Sequence, residues 1–275
     1  MTEPVIGIDL GTTNSCVGLF LPENNSVEVL TNEIGEQTTP SWVSYEQLDC
    51  WPKPKIIVGS RAVDKANFVF DAKRMVGRKF TDEDVQQFTR KWPFEVAAGS
   101  RQNCEIIVPG CGSFKAEEVS SHVLGYLKGI AEKRCGQAVR KAVITVPAYF
   151  NNSQKEATEQ AAKIAGLDVM RLINEPTAAA MAAGFHENEE MENVLVFDFG
   201  GGTFDISIIC ASEGVLDVQA TRGDMNLGGR DVDEKLVDFC IKAFQEATGI
   251  DISGDPKART RLMKECERAK ISLSE

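Results

Sequence analysis

The sequence predicts an α/β protein of two lobes, and three observations carry that expectation. One strand–turn–strand unit occurs twice: VIGIDLGTTNSCVGLF (residues 5–20) and VLVFDFGGGTFDISII (residues 194–209) align without a gap, with Asp9 on Asp198, Gly11 on Gly200 and Thr12 on Gly201. The segments between and after the two copies alternate strand-like and helix-like patterns. A length of 275 residues suits about two domains with a substantial buried core.

In chain order, the first hairpin is followed by residues 32–54, rich in Pro, Thr and polar side chains, which read as loops with short strands. Residues 68–78 read as a short helix ending near Gly77. Residues 104–114 alternate as strands with Gly turns, and residues 116–134 carry a helical stripe through Val119, Val123, Leu127 and Ile130. VITVPAYF is a strand running into a Pro turn. A helix should follow, with a capping box from Ser153 to Glu156 and a stop at Gly166. Residues 178–185 form a small-residue helix, and the acidic stretch HENEEMEN (186–193) marks the lobe boundary as well as suiting a solvated loop. Residues 231–248 are amphipathic through Val232, Leu236, Phe239, Cys240, Ala243 and Phe244. A last helix starts near Asp255 and Pro256.

The repeated turn has chemical content. Glycine lets backbone and ligand approach closely, and successive amides converging on one point bind an anion. An Asp closing the first strand would repel bare phosphate, but beside phosphate plus magnesium it supplies the oxygen that the ion takes, usually through water. Two copies point to two lobes clamping one metal–nucleotide, where a single copy leaves more room for an ordinary hairpin.

Composition narrows the rest. A net charge of -11 opposes broad nucleic-acid binding, which needs clustered Lys and Arg. Eight cysteines without a C-x-x-C pair, and only His122 and His186, speak against zinc. MTEPVIGIDL has no secretory leader and no apolar run is long enough for a membrane, so reduced thiols in the cytoplasm are expected. Other residues stay open on their own chemistry. Lys73 suits a surface cation, Glu175 before a proline suits a helix start, Pro147 suits a strand end, and Thr203 and Asp205 suit either a turn or a cation.

Together these segments resemble the nucleotide-binding domain of the 70-kilodalton heat-shock chaperone family. The matching blocks are IDLGTTNS (8–15), DAKRMVGR (71–78), WPFEV (92–96), EEVSSHVL (117–124), ITVPAYFNNSQ (144–154), RLINEPTAAAMAAG (171–184), VFDFGGGTFDISI (196–208), GDMNLGGRDVDEKL (223–236) and CERAKISLSE (266–275). NEPTAAA, TVPAYF and ERAK are the specific ones, whereas the hairpin blocks are shared with actin and sugar kinases. The resemblance implies an actin-like ATPase fold whose two lobes are built on ribonuclease-H-like mixed sheets with flanking helices. Residues 1–187 would form the first lobe, with an inserted subdomain at 39–115. Residues 188–275 would be an incomplete second lobe.

The resemblance also implies roles. Gly11, Thr12, Thr13, Asn14, Gly200, Gly201, Gly202 and Thr203 would hold the phosphates of ATP or ADP, and Asp9 and Asp198 would hold hydrated Mg2+. Thr203 and Asp205 would hold K+. Lys73 and Glu175 would position the attacking water, in chemistry dominated by positioning and charge, with Asp198 and Thr203 beside them. Glu267, Lys270 and Ser274 match one wall of an adenosine pocket. Pro147 and Arg171 match a relay, with Arg171 also resembling a contact for J-domain co-chaperones; nucleotide exchange factors are the other implied partners. Unfolded clients would bind a peptide-binding domain beyond Glu275, together with a second glycine-rich adenosine loop and the remaining strands of the second lobe. Lys155 stands where the family usually has Arg, keeping the charge without the planar fork; Ile271 stands where many eukaryotic relatives carry an Arg, and Arg230 where an acidic residue is common. Two rival readings are a truncated co-chaperone interaction module and a small-molecule kinase, the latter lacking any block for an acceptor base.

Overall fold

The computed structural model describes residues 3–48, 53–63, 65–187 and 190–274. The first hairpin forms β1 (Val5–Asp9) and β2 (Asn14–Leu21), continued by β3 (Ser26–Val29). Period-two alternation sends Ile6, Ile8, Val17 and Leu19 to one buried face. Next come β4 (Thr39–Pro40), which pairs with the start of β2, then β5 (Val43–Glu46), β6 (Lys55–Val58) and β7 (Phe68–Val69), whose antiparallel sheet runs β6-β5-β7. Helix α1 (Glu83–Thr89) precedes β8 (Glu95–Ala98), β9 (Cys104–Val108) and β10 (Gly112–Lys115), another small antiparallel sheet.

The helix expected over residues 68–78 is absent. After β7 the chain makes only a 3-10 turn over Ala72–Arg74, entered through Asp71 at φ 57. That left-handed conformation interrupts a helix, and buried Asp71 is held there by the indole N–H of Trp92, 3.1 Å from its Oδ2. At Gly77 a Cβ would lie 2.5 Å from the Cα of Gln154, so the glycine makes room for the remote helix over Asn152–Ile164 rather than ending a local one.

Helix α2 (Ala116–Cys135) ends on Gly136 at φ 70, as a left-handed cap requires. Then β11 (Lys141–Val146), α3 (Asn152–Ile164) and β12 (Asp168–Asn174) complete a mixed sheet ordered β12-β11-β1-β2-β3, with β11 parallel to both neighbours. The α3 cap lies two residues earlier than expected. Asn151 Oδ1 accepts from the Gln154 N–H at 3.0 Å, and Gln154 Oε1 accepts from the Asn151 N–H at 3.2 Å. Asn151 is extended directly after the Pro147 turn, so it reaches the free amides first. Helix α4 (Glu175–Ala182) opens on Glu175 and Pro176, three residues before the expected small-residue helix because the proline suits a first turn, and it ends before Phe185, which lies in a 3-10 turn (Phe185–Glu187).

The second copy forms β13 (Glu192–Phe199) and β14 (Phe204–Ser212), with β15 (Val215–Asp224) completing an antiparallel sheet. Asp198 opposes Asp205 as Asp9 opposes Cys16, so the register of the two hairpins is the same. Helices α5 (Gly229–Thr248) and α6 (Pro256–Ser272) pack together around Val237, Ile241 and Cys266. Asp255 caps α6, accepting from the Ala258 N–H at 3.1 Å. The acidic stretch at 186–193 includes residues 188 and 189, which lie outside the described residues, as does Cys50. The remaining seven cysteines are unpaired.

The two hairpins differ in what covers them. Ile6, Ile8 and Leu10 are 0%, 1% and 7% exposed, because α2 packs over β1 and β2. Leu195, Phe197 and Phe199 align with them and are 65%, 64% and 45% exposed. No described helix is long and apolar enough to cross a membrane.

Candidate nucleotide and cation site

The two glycine turns meet at the floor of one cleft of about 1340 Å³. All the residues expected at the site line it, apart from Asp205. Around the first turn, the Gly11 N–H donates to Ser15 Oγ at 3.1 Å, Ser15 Oγ lies 2.8 Å from Ser41 Oγ, and Ser41 Oγ donates to the Gly11 carbonyl at 2.7 Å. Ser41 also donates its N–H to Thr13 O at 2.8 Å, so a serine thirty residues away staples the turn. No local signal marks Ser41 for this role.

In the second turn the Gly200 N–H closes onto Thr203 O at 2.9 Å, while the carbonyls of Gly200 and Gly201 accept from the Gly229 and Arg230 amides, both at 2.9 Å. These glycines are not left-handed; close approach explains them instead. A Cβ on Gly201 would overlap Thr13 Oγ1, one on Gly202 would lie 2.7 Å from Thr12 Cγ2, and one on Gly228 would lie 2.5 Å from Gly201 C. The amides of Gly11 and Gly200 are consumed in closing their turns, so ligand binding falls to the residues that follow each glycine.

Lys73 and Glu175 come together from opposite ends of the first half: Lys73 Nζ donates to Glu175 Oε1 at 2.5 Å, with both side chains largely buried. Burial raises the Glu175 carboxyl above its ordinary range, and the Lys73 charge partly offsets this. Glu175, Asp198 and Asp205 each bring an oxygen within 4.8 Å of the others'. Burial also lifts Asp198, helped by the charges of Asp205 and Asp9, and lifts Asp205, against which Tyr149 acts. Both Asp205 oxygens are buried without a well-formed hydrogen bond. An oxygen-only group short of positive charge fits a hard cation such as Mg2+ or K+. Asp9 stands outside this trio and accepts from Thr145 Oγ1 at 2.7 Å, a partner that the sequence does not signal.

At the far end of the cleft, Lys270 Nζ donates to Asp233 Oδ2 at 2.8 Å and to Gly229 O at 3.1 Å, tying α6 to α5. Ser274 Oγ donates back to the Lys270 carbonyl at 2.9 Å, while Glu267 lines the opening. Arg171 is exposed on the edge strand β12, and Pro147 lies at the end of β11, beside Arg74 and Gln154. The chain spans less than half the length of the curated relatives that it matches. A heat shock cognate HSP70 protein of Trypanosoma brucei brucei is 46% identical over 283 residues, covering 99% of this chain and 41% of the relative. A heat shock protein of Pyricularia oryzae is 47% identical over 277 residues, covering 99% and 44%. A ribosome-associated molecular chaperone of Zygosaccharomyces rouxii is 46% identical over 281 residues, covering 99% and 44%. The family model described as Hsp70 protein matches residues 5–275, and with these geometries it gives the conclusion that the chain belongs to the Hsp70 family, with that family's actin-like fold.

Proposed function

We propose that this chain is the nucleotide-handling part of an ATP-driven chaperone of the cytoplasm, converting ATP and water to ADP and phosphate and coupling that step to protein folding. The observation that carries the reading is the buried Lys73–Glu175 pair, 2.5 Å apart, in the same cleft as two interlocked glycine turns. Thr12, Thr13, Gly201 and Gly202 bind phosphate oxygens; Glu175 orients the Lys73 ammonium, which holds the attacking water and offsets charge at the γ-phosphate. Asp9 and Asp198 would hold hydrated Mg2+, and Asp205 with Thr203 would hold K+. The metal supplies charge neutralisation along the phosphates. Residues 1–187 act as the first lobe with 39–115 inserted, and 188–275 as part of the second. J-domain co-chaperones and exchange factors are its partners, and clients bind elsewhere in a longer chain.

Single-turnover hydrolysis tests the assignment. Lys73→Ala should lower the rate about a hundredfold or more while ATP affinity stays within a few fold, because a group working in the transition state affects turnover rather than ground-state binding. Equal losses in both would defeat it.

A second reading, a weakly hydrolysing interaction module, is favoured by the exposed apolar face of β13 and by the commitment of Lys270 to Asp233. ATP binding to residues 1–275 should then be weak, and submicromolar affinity would remove this reading's support.

A further inference from the structure

The first turn of α5 touches both halves of the catalytic machinery at once. Its backbone is bonded to the second glycine turn through the amides of Gly229 and Arg230. Its side chains reach the other wall of the cleft. The Arg230 guanidinium lies over the Phe70 ring, its Cζ 3.9 Å from the centroid, with Nε 3.5 Å from Asp71 Oδ2. Asp231 accepts from Arg74 Nη2 at 3.2 Å, and Arg74 Nε stands 3.9 Å from Asp71. The chain Arg230–Asp71–Arg74–Asp231 alternates in charge and closes on itself, since 230 and 231 are sequence neighbours. Asp71 and Arg74 side chains are each only 4% exposed, so these charges are weakly screened. Between them in sequence lies Lys73, on a 3-10 turn entered through left-handed Asp71. A short turn entered through an unfavourable conformation needs such external restraint.

We propose that Arg230 and Asp231 form a clasp that positions Lys73: they grip the lysine-bearing turn of one wall and fix it against the glycine turn of the other. They are positioning residues, acting through Asp71 and Arg74. The stacking on Phe70 makes a planar guanidinium the fitting group, and a lysine an incomplete replacement. The clasp stands on geometry alone; its bearing on hydrolysis rests on the ATP reading above.

Amide hydrogen exchange on the nucleotide-free 275-residue chain tests the clasp. Arg230→Ala should speed exchange at Arg74, Met75 and Val76 about tenfold or more, with Arg230→Lys intermediate, while amides of β1 and β11 keep their protection and so report an intact fold. Asp231→Asn should act similarly, and the double variant should fall short of the summed effects, as members of one ring do. Exchange within about twofold of the parent in Arg230→Ala overturns the clasp. Single-turnover hydrolysis then tests positioning: Arg230→Ala should slow the step about tenfold or more with ATP affinity within a few fold, and an unchanged rate overturns that role. A parent chain that hydrolyses nothing counts against the ATP reading, and the exchange result still decides the clasp.

Discussion

Among single residues, the glycines of the second turn are defined by what they touch. Gly201 has no room for a methyl because Thr13 of the opposite turn occupies it, whereas a Cβ on Gly125, inside α2, meets open space. Gly201→Ala should cost about 1–3 kcal/mol in urea unfolding through forced separation of the turns. Gly125→Ala should instead stabilise by roughly 0.5–1 kcal/mol. His122 gives a pH test. It packs edge-on against Tyr45 and Phe114, and burial pushes its imidazole below the ordinary value near 6.5, with the Glu118 charge only partly offsetting this. A depressed folded value means stability that is complete above the unfolded value and lost as pH falls through the window below it. Unfolding free energy should therefore decline as pH drops below about 6.5, and His122→Phe should flatten that slope; an unchanged slope would assign it to other groups.

At the scale of elements, the sequence was most legible where periodicity is strong: α2 and the amphipathic α5 lie where their apolar stripes put them. It was least legible where tertiary contacts choose the backbone. The segment around Lys73 has helix-forming residues, yet Trp92 and two arginines hold Asp71 left-handed and leave a 3-10 turn. The α3 cap was misplaced by two residues because Ser153 and Glu156 satisfy the same pattern as Asn151 and Gln154, and only the exit from the Pro147 turn decides between them. Asn151→Ala should cost about 1 kcal/mol of stability and Ser153→Ala close to none; the reverse order would restore the later cap.

Across the whole molecule, the duplicated hairpin made two walls and a shared cleft foreseeable, and the family blocks singled out Lys73 and Glu175 before any distance joined them. Ser41, Thr145, Asp71 and Trp92 were not foreseeable, since their roles arise from contacts between remote segments rather than from local patterns. The unequal cover of the two hairpins also has consequences. Ile8→Ala, under α2, should cost about 2–5 kcal/mol, as truncations in closed cores do. Phe197→Ser, on the open face of β13, should change stability little and lower binding of an apolar dye, since exposed apolar faces of this kind invite association. Unchanged dye binding would mean that the face is not the adherent surface.

We propose that two Asp-bearing glycine turns, with Glu175 and Asp205 beside them, form one magnesium–nucleotide site. Calorimetric titration of the 275-residue chain with ATP, with and without Mg2+, tests it most directly. Binding should be clearly tighter with Mg2+ than without it, and in an Asp198→Asn variant that magnesium advantage should disappear while metal-free binding persists. Affinity indifferent to Mg2+ in the parent chain, or lost equally with and without the metal in Asp198→Asn, would contradict it.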